Sequence, residues 1–212
     1  MADEAGNDVA PPSSWDIYKR RHGLVLAFHG CDKATADRVL SGSIEHLLPS
    51  KNQYDWLGGG IYFWEEDPWR ALQWANEARA RPSLTSTPIS DPYVIGAVLD
   101  MGHCLNLLEF GSTREVSRAF RFISEVYEQA GQKLPTNVGG KDRLRRFLDK
   151  VVIDALHRVR VENQLAPYDS VRAMFMEGDD LYDGAGFKTK NHIQIAVLNE
   201  RCIKGYFRLP GL

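Results

Sequence analysis

His29, Tyr62 and Gln194 are the residues on which chemistry would turn. His29 ends a short apolar run, Leu24 to Phe28, and Gly30 follows it directly. Tyr62 comes straight after Gly58-Gly59-Gly60-Ile61, and Gln194 lies in a late apolar segment, His192 to Leu198. Glu177 stands at the end of the apolar segment before that one. These groups have three distinct uses. The backbone N–H and C=O of a glycine can fix a carboxamide, an aromatic ring can stack on a flat cation, and a polar side chain can bond sugar hydroxyls. Breaking an N-glycosidic bond needs all three, because its transition state carries oxocarbenium character on the sugar. Each signal alone is weak. A histidine at a strand end is more often structural, and glycines before a strand commonly mark a close backbone approach. Their order along the chain is the stronger evidence.

The elements that must position these groups can be read from periodicity. Leu24–Phe28 reads as a buried strand, followed by a helix from about Lys33 to Leu40 that stops at Gly42. Ile61 to Trp64 is strand-favouring, and Asp67-Pro68 starts a helix with Asp as N-cap and Pro at the first position. Ala71, Trp74, Ala75 and Ala78 give that helix one apolar face. Tyr93 to Asp100 reads as a third, central strand. The middle of the chain is helical, with a capping box from Ser112 to Glu115 and an apolar stripe of Val116, Ala119, Phe120, Ile123 and Tyr127. A second helix carries Leu144, Phe147, Leu148, Val151, Ala155 and Val159. Strands return at Val171–Met176, His192–Leu198 and Cys202–Leu209, the first two separated by a long polar loop of the kind that often carries function. This order of elements indicates an α+β fold. Residues 1–14 are small, acidic and aperiodic and read as a mobile tail, leaving one domain over 15–212.

Composition narrows the function. Lys plus Arg number 26 against 28 Asp plus Glu, so no net field draws the chain to nucleic acid or an acidic membrane. Its three cysteines are far apart and form no CxxC pair, which argues against a disulfide framework or a zinc knuckle and for reduced thiols in a cytoplasm. No apolar run approaches the roughly 20 residues of a membrane span. Fingerprints of Rossmann dinucleotide binding, GxSxG hydrolases, HExxH metalloproteases and P-loops are missing, and no metal is expected.

Phe28-His29-Gly30 resembles the first-strand motif of the ADP-ribosyltransferase superfamily, in the branch shared by diphtheria toxin and the poly(ADP-ribose) polymerases. Gly58-Gly59-Gly60-Ile61-Tyr62-Phe63-Trp64 is similar to the second motif of that branch, and His192 to Glu200 to its last catalytic strand. The resemblance implies a split, mostly antiparallel β-sandwich with flanking helices and a helical insertion. It also implies NAD as co-substrate in the cleft between the sheets, with no metal. His29 would then bond a ribose hydroxyl, Gly30 would hold the nicotinamide amide, and Tyr62, after the turn at Gly60, would stack on the nicotinamide. Ser50, Lys51 and Asn52 precede the tyrosine motif, where a cation and amides can meet a pyrophosphate, although a solvated loop is an equal reading.

The third signature residue of active members is usually glutamate, and here the aligned position is Gln194. An amide bonds a hydroxyl but is no general base at neutral pH. Glu177 is the first candidate for a replacement carboxylate, with His192 on the Gln194 face of its strand. Lys188 and Lys190 could guide an acidic acceptor such as nucleic acid, though loop lysines need no such reason. The stretch SKNQYDWLGGGIYFWE, with its late EG and HIQIAVLN, also resembles a group of bacterial proteins without assigned function. The expected activity is transfer of ADP-ribose to a protein or nucleic acid, in the manner of a toxin or anti-phage effector with an antitoxin partner. The alternatives are NAD glycohydrolysis and a non-catalytic NAD- or ADP-ribose-binding module.

Overall fold

The apolar runs become strands of one sheet. In the computed structural model, which describes residues 23–211 except Ser86, the strands are β1 (Val25–Asp32), β2 (Ile61–Glu65), β3 (Pro92–Leu99), β4 (Cys104–Asn106), β5 (Ser170–Phe175), β6 (His192–Val197) and β7 (Ile203–Arg208). Their order is β4-β5-β6-β2-β1-β3-β7, antiparallel throughout except for the β4–β5 pair. Four helices complete the α+β fold: α1 (Lys33–Leu40), α2 (Pro68–Ala80), α3 (Phe110–Gln129) and α4 (Phe147–Glu162). The tail expected over 1–14 and the ordered start at Trp15 lie outside the described residues.

Instead of the expected two-sheet sandwich, the hydrogen bonds run continuously through seven strands. The short β4, Cys104–Asn106, has no sequence signal of its own and finds its pairing through β5. Strand β3 is apolar without being central. It lies between β1 and the edge strand β7, and both of its faces are buried because α1 and α2 pack against it from opposite sides.

Strand alternation sorts the core. Val25, Ala27, Ile61, Phe63, Ile95 and Ile195 face α1 and form the first cluster. On the opposite face, Phe28, Trp64 and Val94 meet Ala71 of α2. On that same face, Val171, Ala173, Phe175 and Ala196 meet Ala119 and Ile123 of α3 and Val152, Ile153, Ala155 and Leu156 of α4. Two helical blocks therefore pack on this second face, α2 against β1, β2 and β3, and α3 and α4 against residues of β5 and β6.

Helix α2 starts as its sequence dictates, with the Asp67 carboxylate accepting from Arg70 N–H at 2.9 Å and Pro68 at the first position. Its alanines 71, 75 and 78 are fully buried, which brings the helix close to the sheet. Helix α3 differs from expectation. Ser112 lies inside it, the N-cap is Glu109 with no side-chain cap, and Glu115 instead accepts from Tyr168 Oη and Arg160. Phe120 is exposed, because the helix packs with only Ala119 and Ile123 buried. Leu144 precedes α4 and is exposed, since the helix begins at Phe147. Arg172 pairs with buried Glu65 through Nε and Nη2 at 2.5 and 3.0 Å.

Asp32 joins β1 to its surroundings. It caps α1 at Ala34 N–H and accepts from Ser90 N–H, Ser90 Oγ and Asp91 N–H at 2.8 to 3.0 Å. These donors hold its carboxyl down at about 2. Because the folded pKa lies below the unfolded value of about 3.9, the stabilisation is full above that pH and disappears as pH falls toward the folded pKa. The stability gap between the wild type and Asp32→Asn, read by denaturant unfolding, should therefore be widest at neutral pH and close at the acid end. No described helix is long and apolar enough to cross a membrane, and no group of described His, Cys, Asp and Glu side chains could hold a metal ion.

Candidate functional site

The sheet opens next to His29. β1 and β2 are registered only at Ala27↔Glu65 and Phe28↔Trp64, while β1 stays paired with β3 to Asp32 and β2 stays paired with β6 from Ile61. The His29 ring reaches across this opening, with Nδ1 2.7 Å from the Tyr62 carbonyl oxygen. A carbonyl only accepts, so Nδ1 carries the hydrogen. Burial lowers the pKa of the ring. A neutral ring protonated at Nδ1 leaves Nε2 as a hydrogen-bond acceptor. The ring stands edge-on to Phe63 at 5.8 Å, which fixes its plane.

Gly30 belongs to the same opening. Leu26 turns its carbonyl toward β2, where Glu66 N–H meets it at 3.0 Å. Four residues further along an extended strand, Gly30 turns its N–H and C=O the same way, past the last β1–β2 pair. No side chain fits at Gly30, because a Cβ would lie 2.3 Å from the Ala71 carbonyl oxygen.

Tyr62 points to the second face, its ring half-buried. Its hydroxyl accepts from Leu57 N–H at 3.0 Å and donates to Gly58 C=O at 2.8 Å. Burial, with Asp55 nearby, pushes this phenol well above its ordinary pKa. The tip is thus committed to the glycine loop, and the ring plane is what remains to offer a ligand. Gly60, at φ +156°, sits where a Cβ would lie 2.7 Å from the Val197 carbonyl, so the loop runs directly against β6. Ser50 N–H bonds Gly60 C=O at 2.8 Å, and Asn52 Nδ2 donates to Ser50 Oγ at 3.0 Å, so this polar segment braces the loop.

Gln194 is the β6 neighbour of Trp64 and lies on the Tyr62 face. Its Oε1 accepts from Trp56 Nε1 at 2.7 Å, which orients the amide and leaves its NH2 as a donor. Trp56 packs edge-on to Phe175 at 5.0 Å, and Arg146 lies over both rings. Glu177 accepts from Arg70 at 2.8 Å, with Lys190 at 3.7 Å. Lys190 also pairs with Glu77, and Lys188 with Asp180, so neither lysine is a bare loop charge. His192 is buried on the Gln194 face, stacked on Phe175.

The His29 ring, on the Phe63 side of the sheet, therefore meets the Tyr62 backbone carbonyl at the opening beside Gly30, while the Tyr62 ring and Gln194 lie on the second face. Glu177 lies further along that face, tied to α2 by Arg70. Sequence reading assigned no role to Arg70 or Arg146. A charged residue three positions into an amphipathic helix usually faces solvent, and nothing in its spacing announces burial.

No family model matches the chain, and no solved structure matches it. Over 47 residues, 22% of this chain, it is 38% identical to an uncharacterized protein of Methanocaldococcus jannaschii. The match spans about a fifth of that protein's length, 21%.

Proposed function

We propose that this chain binds NAD at the opening between β1 and β2 and breaks its nicotinamide–ribose bond, passing ADP-ribose to a macromolecular acceptor. The observation that carries this reading is the contact of the His29 ring with the Tyr62 carbonyl beside Gly30, where the β1–β2 ladder ends. His29 Nε2 accepts from a ribose hydroxyl, and the Gly30 backbone holds the carboxamide. The Tyr62 ring stacks on the pyridinium, and the Gln194 NH2 bonds the ribose as positive charge develops on it. The setting that suits a domain of this size is a toxin or anti-phage effector held in check by an antitoxin.

One observation favours a second reading, a module that binds NAD without turnover. Gln194 is an amide already committed to Trp56, and the one carboxylate suggested for its place, Glu177, is paired with Arg70. Its oxygens are held by Arg70 and Lys190 and not directed at an acceptor. Gln194→Glu separates the readings, because a carboxylate still accepts from the Trp56 indole and adds the missing base. General-base help is worth about 100-fold or more, so label transferred from NAD to lysate macromolecules should rise at least tenfold. If both proteins bind NAD and neither releases nicotinamide, the binding module is the correct reading. Free ADP-ribose with no labelled macromolecule identifies a glycohydrolase.

A further inference from the structure

Four buried polar atoms on the second face have no hydrogen-bond partner among the described residues: Trp64 Nε1, Arg70 Nε and Nη1, and His192 Nε2. They belong to neighbours. The Trp64 and His192 rings are 6.3 Å apart, and the Arg70 guanidinium carbon is 5.9 Å from the Trp64 ring. All three residues are more than nine-tenths buried, with exposures of 4% for Trp64, 6% for Arg70 and 6% for His192. Native proteins leave only a few such groups unpaired per hundred residues, so four gathered in a single corner point to a ligand.

The character of the atoms says which ligand. The Trp64 and Arg70 atoms only donate. His192 Nδ1 lies 2.7 Å from the Lys190 carbonyl and so must donate to it, and burial lowers the pKa of the ring. Its Nε2 is then an acceptor. The corner thus offers donors and an acceptor together. The charge of Arg70 is also already met, by Glu177 at 2.8 Å and Glu77 at 4.0 Å, while Lys190 pairs with Glu77 at 2.8 Å. A phosphate or carboxylate entering here would face two carboxylates and a lone pair. A neutral group with C=O beside N–H would satisfy both kinds of atom. The walls are flat and aromatic: Trp74 stands 5.5 Å from Trp64, and Phe175 is stacked on His192 at 5.5 Å.

We propose that Trp64, Arg70 and His192 form a binding site for the amide edge of a flat heterocycle, whose carbonyl is taken by Trp64 and Arg70 and whose N–H is given to His192. Two sources share that chemistry, a nicotinamide carboxamide and a nucleobase lactam. The site rests on none of the roles given to His29, Gly30 or Tyr62.

The test uses the intact chain and the indole N–H resonance of Trp64, identified with Trp64→Phe. Nicotinamide and inosine are the amide probes, and nicotinate and inorganic phosphate the anionic ones. At least one amide probe should shift the Trp64 resonance and bind about tenfold more tightly than either anion. Which amide does so names the source. Arg70→Lys keeps a cation for Glu177, and His192→Phe keeps a flat ring against Phe175. Each should weaken binding roughly tenfold while the rest of the spectrum stays folded. Preference for nicotinate or phosphate would overturn the proposal in favour of an anion site. A Trp64 resonance that no probe moves would make the corner a sealed part of the core. Amide binding by a protein that leaves NAD uncleaved would sink the proposed function and leave this site standing.

Discussion

Replacing His29 with asparagine is expected to lower nicotinamide release from NAD by at least about 100-fold, the usual cost of removing one preorganised polar contact to a transition state. Asparagine is the informative choice because its side-chain N–H stands at the position of Nδ1. It can keep the bond to the Tyr62 carbonyl, which His29 makes at 2.7 Å, and it removes only Nε2. Alanine would strip both and leave a buried carbonyl unpaired, at a cost of about 1–3 kcal/mol, mixing stability with function. The pH dependence follows from the same ring. Burial lowers the His29 pKa, so Nε2 stays an acceptor at neutral pH and above. An acid limb due to His29 should begin only below the ordinary histidine value of about 6.5. A folded asparagine variant that releases nicotinamide at the wild-type rate would remove His29 from the mechanism.

Gly30→Ala should be the most destabilising change at the site. The added Cβ would stand 2.3 Å from the Ala71 carbonyl oxygen and 3.3 Å from Ala75 Cβ. The clash is with helix backbone, so no rotamer relieves it, and α2 must retreat from β1. Overpacking of this kind costs about 3 kcal/mol or more, which denaturant unfolding would read directly. Because the Gly30 backbone is proposed to hold the carboxamide, nicotinamide release should fall with it. Gly96→Ala is the matched comparison. Its Cβ would lie 2.3 Å from Cζ of the Phe207 ring, a side chain that can swing aside, so the loss should be clearly smaller. Equal stability of Gly30→Ala and the wild type would mean that α2 does not hold this position.

Much of this framework was legible because local signals and tertiary packing agree. Asp67-Pro68 announced α2, and the helix at Lys33–Leu40 was stopped by Gly42. The runs ending at His29 and starting at Ile61 were strands in both views. What sequence could not supply was relational. The single sheet depends on a two-residue joint between strands more than 30 positions apart. Tyr93–Asp100 looked central because helices on both faces produce the same apolar run as flanking strands do. Ser112 and Glu115 matched a capping box by spacing, yet Glu115 serves Arg160 and Tyr168 instead. At the candidate site, His29, Gly30, Tyr62 and Gln194 were named through the resemblance of their segments to a family's motifs. The commitment of Gln194 to Trp56 and of Glu177 to Arg70 could not be foreseen, since each pairing joins segments more than 100 residues apart.

The most direct measurement is nicotinamide release from NAD by the purified wild-type chain, followed by chromatography with and without cell lysate. The account predicts release by the wild type that is lost in His29→Asn. NAD that remains intact under every condition, with the wild-type chain folded, would contradict it.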